Sequence, residues 1–453
     1  MLPSRRNFLK AALCSLTASL LGDFRPVRAA PAPKVIVIGA GAAGLAAARV
    51  LSRQGFDITV LEARQRIGGR MWTDRTLGVP LDLGASWIHG IVGNPVTMLA
   101  RRFSQPLFAW DYEDSRVVDL TGHQARALDH YDALAEALEE FAEENDDALT
   151  RLSVADSIAS VRHQKQFKGL SAAELGFLSA IMVELEFAAD ADNLSLAGVI
   201  EGSGFSGPDA VLPNGYEPIA LGLADGLTIR PDTQVQEISC SPGGVGVRAG
   251  GKDYSADYAV CCVPLGVLKA DGIRFTPELP AAKRRAVDRL AMGVLNKVYL
   301  RFPEVFWDRD TLNLGRISDR PQAFADWVNF HPVTGAAVLC ALNGGTFGEE
   351  LEGMSELERR DAAFAALKTM FGRDIPPPTG ASSTAWRSDP FAKGSYSFLP
   401  VGTDPSEREA LAASLMSRLF FAGEAASTQY PATVHGAYLS GERAARQMID
   451  AAQ

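Results

Sequence analysis

Residues 34–62 read KVIVIGAGAAGLAAARVLSRQGFDITVLE, and this stretch decides the fold of the chain. The apolar run 34–38 predicts a buried strand, and the glycines within 39–44 predict a tight turn. Residues 45–54 are rich in alanine, leucine and arginine and predict a helix, and residues 57–61 predict a second strand. The order strand, turn, helix, strand is a βαβ unit, which is typical of α/β folds.

The glycine turn and the acid that ends the second strand predict a dinucleotide site. Gly39 permits the tight turn, Gly41 lets backbone N–H groups approach a pyrophosphate, and Gly44 lets helix and strand pack closely. Glu62 follows Gly44 by 18 residues, at the position where a carboxylate binds ribose hydroxyls. The neighbouring candidate contacts are Ala43 and Ala63.

The first 30 residues differ from the rest of the chain and are typical of an export signal. Paired arginines in Ser4-Arg5-Arg6-Asn7-Phe8-Leu9-Lys10 precede the apolar run 11–21, and small residues at 29–32 suit a signal peptidase. An amphipathic helix is the alternative, because this apolar run is too short to span a bilayer core of about 30 Å. We therefore predict a twin-arginine signal at 1–30, the twin-arginine export machinery as a partner, and a periplasmic or secreted protein.

Composition excludes several classes of protein. The chain has 453 residues, 47% hydrophobic and 22% charged, a balance typical of globular enzymes rather than disordered, fibrous or multi-span membrane proteins. Its 44 basic and 54 acidic residues give a net charge of −10, which disfavours nucleic acid and favours a cationic partner. The cysteines show no metal-ligand spacing, so we predict no metal site. We also predict no stable membrane span, and the oligomeric state is left open.

Further motifs follow in a fixed order along the chain. Residues 62–70 read EARQRIGGR, so two glycines and three arginines continue directly from the strand-ending acid. Fixed cations at this place can face a diphosphate. The other motifs are Leu83-Gly-Ala-Ser-Trp-Ile-His-Gly90 with Gly93-Asn-Pro95, Val263-Pro-Leu-Gly-Val-Leu-Lys269, Asn296-Lys297, Gly394-Ser-Tyr-Ser397, Phe421-Ala-Gly-Glu424 and Val434-His-Gly-Ala437. Together they make the chain resemble the flavin amine oxidase family, which includes monoamine oxidases, polyamine oxidases and lysine-specific histone demethylases.

Within that family the chain is most similar to the polyamine oxidases. Trp87-Ile-His-Gly90 and Phe187-Ala-Ala-Asp-Ala191 resemble plant and animal members, and Tyr430-Pro-Ala-Thr-Val-His-Gly436 resembles the histone demethylases as well. The demethylases carry an added N-terminal helical domain and an inserted helical tower. Residues 31–453 leave no room for either addition.

The resemblance implies noncovalent FAD as the cofactor. It matches Glu424 to the flavin diphosphate and ribityl chain, and Val235 to adenine through its backbone, with an ordinary buried strand residue as the alternative for Val235. Ser395 stands where monoamine oxidases carry the cysteine that bonds the flavin, so no covalent link is expected. The remaining matched positions are Arg64, Gly69, Arg70, Ser86 and Trp87, and Thr433 with Val434 at the pyrimidine edge of the flavin.

The resemblance also implies which residues form the catalytic centre. Lys297 matches a lysine that holds a water at flavin N5, with a surface lysine on an edge strand as the alternative. Tyr396 matches one wall of an aromatic cage that attracts an ammonium, whereas Thr433 stands at the other wall, where many amine oxidases have a second aromatic. His89 matches a histidine near the substrate channel, and a structural hydrogen bond is its alternative role.

The predicted fold is α/β, with a discontinuous, Rossmann-like FAD-binding domain at 33–105, 206–280 and 395–453. A substrate-binding domain of mixed sheet and helices is expected at 106–205 and 281–394.

The predicted activity is oxidation of a C–N bond in a small cationic amine. Hydride passes to flavin N5, the imine hydrolyses to an aldehyde, and O₂ is reduced to H₂O₂. Glu186, with Glu184 as the alternative, is the candidate for binding a distal ammonium of this substrate. Two other functions stay open, namely an L-amino-acid or monoamine oxidase on the same fold and a flavin-binding interaction module without activity.

Overall fold

A computed structural model of the chain describes residues 32–119 and 121–453. The predicted signal at 1–30 lies outside these residues. The strands are β1 Lys34–Ile38, β2 Asp57–Leu61, β3 Thr73–Asp74, β4 Leu81–Asp82, β5 Trp87–Ile88, β6 Phe108–Trp110, β7 Ser115–Val118, β8 Asp209–Val211, β9 Ile229–Arg230, β10 Val235–Ser241, β11 Gly244–Ala249, β12 Lys252–Ala256, β13 Tyr258–Cys261, β14 Arg274–Thr276, β15 Ala291–Met292, β16 Leu295–Arg301, β17 Asn313–Arg316, β18 Asp326–Asn329, β19 Val338–Gly344, β20 Gly380–Ser383, β21 Ser397–Phe398 and β22 Leu419–Phe421.

The α-helices connect these strands or follow the last of them. They are α1 Ala42–Arg53, α2 Pro95–Arg102, α3 Tyr131–Glu144, α4 Val154–Val161, α5 Ala172–Ser179, α6 Leu185–Phe187, α7 Leu196–Ile200, α8 Glu217–Ala224, α9 Leu265–Lys269, α10 Ala281–Arg289, α11 His331–Thr334, α12 Gly345–Glu352, α13 Glu356–Phe371, α14 Glu407–Ala412 and α15 Val434–Ala452. A π-helical turn at Ala180–Glu184 leads into α6.

A five-stranded parallel sheet contains the predicted βαβ unit. Its strands lie in the order β22-β13-β1-β2-β9. Helices α1 and α15 pack against it and approach each other so closely that a Cβ on Gly441 would lie 2.1 Å from the carbonyl oxygen of Ala43. Because the carboxyl ends of parallel strands meet at one edge, Glu62 after β2 comes beside the glycine turn after β1.

Helix α1 begins at Ala42, three residues before the predicted start, and the structure thus corrects this boundary. Gly41 has extended backbone angles and forms the N-cap, so Gly44 belongs to the first turn of the helix rather than to the loop. A Cβ on Gly44 would lie 1.8 Å from the carbonyl oxygen of Gly39. The helix can therefore start this close to the strand only because residue 44 has no side chain.

A mixed six-stranded sheet lies in the order β20-β16-β19-β18-β17-β7. Its strand pairs are antiparallel except for β17 with β7. One row of residues crosses five neighbouring strands in register, namely Lys297 on β16, Leu342 on β19, Asp326 on β18, Gly315 on β17 and Val117 on β7. We call these five residues the cavity row. Its first member, Lys297, is on an interior strand, not on an edge.

Helices α3 to α7 form a layer with its own apolar core, in which Leu134, Leu138 and Val154 are buried together with Phe167. This layer carries the π-helical turn and α6, and therefore sets the position of Glu186. None of the helices in the described residues is both long enough and apolar enough to cross a membrane. Within the same residues no cluster of three or more His, Cys, Asp or Glu side chains is arranged to hold a metal ion.

The two large sheets come from different parts of the chain. The strands of the parallel sheet fall within 33–105, 206–280 and 395–453, and those of the six-stranded sheet fall within 106–205 and 281–394. Contacts nevertheless join residues 34–453 into one compact unit. The domain boundaries stay a prediction.

Candidate active site

A cavity of about 1550 Å³ opens at the carboxyl ends of β1 and β2 and extends to the six-stranded sheet. Of the predicted site residues, Gly44 does not line it, because it packs against Gly39 within the turn, and neither does Glu184, the alternative to Glu186. The predicted residues that line the cavity are Gly39, Gly41, Ala43, Glu62, Ala63, Arg64, Gly69, Arg70, Ser86, Trp87, His89, Glu186, Val235, Lys297, Tyr396, Glu424, Thr433 and Val434. The fold thus gathers residues from most of the chain into one place.

The glycine turn lies against the second glycine pair of the sequence. The N–H of Gly39 donates to the carbonyl of Leu61 at 2.8 Å, and the N–H of Gly68 donates to the carbonyl of Ala40 at 2.8 Å. Gly39 and Gly68 have φ of +99° and +91°, in the left-handed region that favours glycine. The two loops therefore form one backbone surface at the end of the parallel sheet, on which a diphosphate can lie.

Glu62 is buried at the end of β2 and points back to that turn. Its Oε2 accepts a hydrogen bond from the N–H of Ala40 at 2.7 Å, and its Oε1 accepts one from the N–H of Arg64 at 2.8 Å. These two donors hold the carboxylate at the edge of the cavity, which is the position that ribose recognition requires.

The guanidinium of Arg64 is already paired. It donates to both carboxylate oxygens of Asp389 at 2.9 and 2.6 Å and lies 5.2 Å from the ring centre of Phe391. Arg64 still lines the cavity, so it can contact a ligand there. The sequence pattern of the arginines could not indicate this pairing, because Asp389 lies more than 300 residues away along the chain.

Glu424 is the centre of a buried polar network. It accepts from Arg70 Nη1 at 2.9 Å and from Ser397 Oγ at 2.6 Å, while Arg70 also donates to the carbonyl of Ser395 at 2.7 Å. Burial acts to raise the pKa of Glu424, but Arg70, Ser397 and Arg408 together lower it below the usual value for glutamate. Glu424 is thus an ionised group whose partner is held in place, as expected of a buried carboxylate.

Lys297 is buried, with 3% of its surface exposed. Its Nζ donates to the carbonyls of Asp82 and Gly84 at 2.9 and 2.7 Å and to Ser86 Oγ at 2.5 Å. Burial lowers its pKa, and the neighbouring Cys340 and Asp82 oppose this effect. The alternative of a surface lysine on an edge strand is therefore wrong, whereas a role at flavin N5 stays a prediction.

Tyr396 and Thr433 both face the cavity, but in different ways. The Tyr396 hydroxyl donates to the carbonyl of Leu185 at 3.0 Å, and burial, followed by Glu186, raises its pKa well above the usual value. The Thr433 hydroxyl caps α15 by accepting from the N–H of Gly436 at 2.9 Å. The hydroxyl of Thr433 is therefore engaged in the helix cap, and of these two residues Tyr396 is the one with an aromatic ring.

A second aromatic wall was missed by the sequence reading. Phe205 stacks on Tyr430 with ring centres 4.7 Å apart and planes 13° apart, and His435 meets both rings edge-on. Burial lowers the pKa of His435 to about 4, which keeps the imidazole neutral near pH 7. The motif that contains Tyr430 gave a signal for one of these rings, whereas Phe205 lies in a glycine-serine segment that gave none.

His89 belongs to a hydrogen-bonded unit whose acid was also missed. His89 Nδ1 lies 2.8 Å from Asp209 Oδ2, which also accepts from the Tyr112 hydroxyl at 3.0 Å, while Asp209 Oδ1 accepts from the N–H of Gly90 at 2.8 Å. Burial acts to lower the pKa of His89, but the hydrogen bond to Asp209 and the charge of Glu186 outweigh it and raise the pKa above 6.5. Asp209 stands alone in an apolar strand, so no motif indicated it.

The two candidate acids before residue 187 differ in position. Glu186 lines the cavity and is exposed to it, near enough to act on the pKa of both His89 and Tyr396. Glu184 is buried outside the cavity, where its Oε1 lies 3.5 Å from Gln322 Nε2, and burial raises its pKa to about 7. Of the two, only Glu186 can meet a ligand in this cavity.

The carboxylates that line the cavity beyond the glycine turn outnumber the basic groups there. The acids are Glu113, Asp129, Asp132, Glu186, Glu201, Asp209 and Asp326. Two of them are paired with arginines, Asp129 with Arg126 at 2.6 Å and Glu201 with Arg408 at 2.6 Å. A cationic ligand is therefore favoured in this part of the cavity.

Known proteins are similar to this chain in sequence and in fold. The chain is 37% identical to Polyamine oxidase 4 of Oryza sativa subsp. japonica over 91% of its length and 88% of that protein. It is 36% identical to Lysine-specific histone demethylase 1 homolog 2 of the same organism, but the match covers only 58% of that longer protein. A putrescine oxidase variant redesigned in its cofactor binding has the same fold, with a TM-score of 0.76 and 19% identity over 93% of this chain and all of the other.

The family described as flavin containing amine oxidoreductase matches residues 42–449, which is most of the described chain. These similarities confirm the α/β fold class and favour an enzyme of this family over the alternative of a flavin-binding interaction module without activity. The chain belongs to the flavin containing amine oxidoreductase family and is a flavin-dependent amine oxidase.

Proposed function

We propose that this chain is a polyamine oxidase that uses noncovalently bound FAD. The observation that carries the proposal is the continuity of one cavity, which joins the glycine turn to Tyr396 and Lys297 and then to unpaired carboxylates such as Glu186. A polyamine carries several positive charges, whereas a monoamine carries one and an amino acid adds a carboxylate that would need a cation. The acids of this cavity favour the first of these three substrates.

The described residues fit an FAD group. Gly39 and Gly68 supply a backbone surface for the diphosphate, Glu62 supplies a carboxylate for a ribose, and the Arg70–Glu424 pair lies beyond them. Bound FAD supplies the two-electron acceptor for the amine and passes the electrons to O₂, which gives H₂O₂. A secondary amine, O₂ and water thereby yield an aldehyde, a shorter amine and H₂O₂.

Each side chain of the centre has a role in this proposal. The Tyr396 ring attracts the ammonium and orients the amine, and Lys297 moves a proton at a water beside the reacting carbon. Ser395 Oγ donates to the carbonyl of Leu295 at 3.0 Å and accepts from its N–H at 2.7 Å. A serine engaged in this way supports a cofactor that is held without a covalent bond.

A substrate panel on the purified protein tests the activity. Peroxide release is measured with spermine, spermidine, their acetyl forms, putrescine, an aromatic monoamine and L-amino acids. We expect the highest kcat/KM for a polyamine. Higher kcat/KM for the monoamine or the amino acids would contradict the proposal and favour the other oxidases of the family.

Acid precipitation of the same protein tests the cofactor. We expect the yellow colour in the supernatant, where chromatography should identify FAD. Colour that stays in the pellet would contradict noncovalent binding, and FMN in the supernatant would contradict the dinucleotide.

We also propose that the protein is exported by the twin-arginine pathway and acts in the periplasm or outside the cell. The support is the arginine pair at residues 5 and 6 followed by the apolar run 11–21. This pathway suits a cofactor-containing enzyme, because it carries folded proteins.

A further inference from the structure

Asp326 is a carboxylate of the cavity that the catalytic centre does not use. It lies on β18, lines the cavity and is partly exposed to it. Side chains of a strand alternate between the faces of a sheet, so Val328 also lines the cavity while Trp327 packs into the core on the other face. The acid is therefore on the face of the six-stranded sheet that a substrate would touch.

No charged partner explains this acid. Among the described residues, none forms an ion pair with Asp326, and the groups that act on its pKa are its burial, which raises the pKa to about 7, and the backbone N–H of Trp327, which opposes this. Leu342 is its partner on one neighbouring strand, and the apolar Val117 and Phe177 line the same cavity against Gly315, its partner on the other. A carboxyl group in such surroundings is unfavourable unless it is paired or functional.

The cavity row gives the position of Asp326 relative to the catalytic lysine. Lys297 pairs across β16 and β19 with Leu342, and Leu342 pairs across β19 and β18 with Asp326. Two strand spacings separate the Cα atoms of the lysine and the acid, roughly 10 Å. The cation and the anion therefore face one cavity at a fixed separation, with an apolar leucine between them.

The next position in the row, beyond the acid, is closed by apolar side chains. Gly315 pairs with Asp326 across β17 and β18. A Cβ at Gly315 would come within 2.7 Å of Val117 and 2.9 Å of Phe177, so these apolar groups close the cavity there. A chain that enters from Lys297 along the row thus passes Leu342, reaches Asp326 and meets an apolar wall.

We propose that the Asp326 carboxylate binds a second ammonium group of a diamine or polyamine whose other nitrogen is oxidised beside Lys297. This inference rests on the proposed function, and it names a residue that selects polyamines over monoamines. The methylene groups between the two nitrogens would lie against Leu342. Pairing with an ammonium would also stabilise the ionised form of this carboxylate, which forms no ion pair with the residues that the structure describes.

Asp326→Asn tests the assignment, because it removes the charge with little change in volume. We measure kcat/KM of the purified enzyme for spermidine and putrescine and for butylamine as the monoamine. The diamine and polyamine values should fall by about 10-fold or more, since a charge-assisted bond in a desolvated site is lost, while the value for butylamine should not fall. The control is Asp374→Asn, which removes an exposed carboxylate outside the cavity and should change neither value.

The outcomes separate the two proposals. A wild-type enzyme that oxidises no diamine or polyamine would contradict the proposed function itself. A wild-type enzyme that prefers spermidine, together with an Asp326→Asn variant of unchanged preference, would overturn only the assignment of Asp326. An equal fall in kcat/KM for spermidine and for butylamine would also overturn the assignment, because it would indicate a structural role for Asp326.

A second measurement uses only the wild-type enzyme, so it tests the proposal even if the variant does not fold. Inhibition of spermidine oxidation is compared for diamines of increasing length and for alkylamines of the same lengths. If a fixed carboxylate binds the second ammonium, each diamine should inhibit more strongly than the alkylamine of the same length. The ratio of the two inhibition constants should be largest at one chain length. No advantage at any length would overturn the proposal.

Discussion

At the scale of the residue, burial changes the properties of Lys297, because it lowers the pKa of the side-chain ammonium. The ammonium is enclosed by three oxygen acceptors from the segment 82–86 and lies 5.6 Å from the ring centre of Trp87. That segment ends at Ser86 and is followed by Trp87, two positions that the family resemblance matches to flavin contacts. The lysine thus connects the six-stranded sheet to the cofactor side of the cavity.

Lys297→Met fills a similar volume without the charge. If the lysine moves a proton during the reaction, the variant should keep its flavin while flavin reduction or reoxidation slows by about 10²-fold or more, the range for a positioned acid–base group. Anaerobic and aerobic stopped-flow absorbance between pH 6 and 10 measures the two half-reactions separately. Lys252→Met, at an exposed lysine of β12, is the control and should react at the wild-type rate. Wild-type rates in Lys297→Met would show that the lysine is structural.

At the scale of the element, α1 and α15 form the contact that holds the glycine turn in place. Helix α1 starts directly after the turn, and α15 starts at Val434, which lines the cavity. The N-termini of both helices therefore lie at the cavity, where their first-turn N–H groups favour negative charge. The distance between the helices depends on Gly441.

Gly441→Val should push these helices apart. The new Cβ would lie 2.1 Å from the carbonyl oxygen of Ala43, and overpacking of this kind costs about 1–3 kcal/mol or more. We expect a lower free energy of unfolding and weaker flavin binding, measured by denaturant titration and by flavin release on dilution. The matched control is Gln447→Val on the exposed face of the same helix, which introduces the same side chain into open solvent. Equal effects of the two changes would show that helix propensity, not the contact, is responsible.

At the scale of the whole molecule, the charge of the chain fits its proposed substrates. The net charge is −10, and cavity acids such as Glu186 and Asp209 belong to that excess. A cationic amine is attracted by such a field at long range, most strongly at low ionic strength. Residues 1–30, the proposed export signal, carry more basic than acidic residues, so the remaining chain is more acidic than the full sequence.

Replacement of Arg5 and Arg6 by lysines should keep the protein in the cytoplasm, because the paired arginines are the feature that the export machinery reads. The full chain is expressed in a bacterium that has this pathway, and amine oxidase activity is assayed in periplasmic and cytoplasmic fractions. Lys10→Arg, which keeps the arginine pair, is the control and should be exported. Undiminished periplasmic activity of the double-lysine variant would contradict the export proposal.

The sequence by itself determined the features that depend on neighbouring residues. The apolar run 34–38, the glycines after it and Glu62 predict the βαβ unit because strand, turn and helix preferences act within a few residues. The motifs around Lys297, Tyr396 and Glu424 are equally local, and for that reason their place in one cavity was predictable from a resemblance to known enzymes.

Only the tertiary structure decided which distant residues meet. Asp209 contacts His89 from 120 residues away, and Phe205 stacks on Tyr430, yet neither Asp209 nor Phe205 stands in a motif. Asp326 comes into register with Lys297 through the pairing of β16, β19 and β18. Strand register of this kind depends on long-range packing rather than on local preference, because shifting a strand by one residue would turn its side chains to the other face.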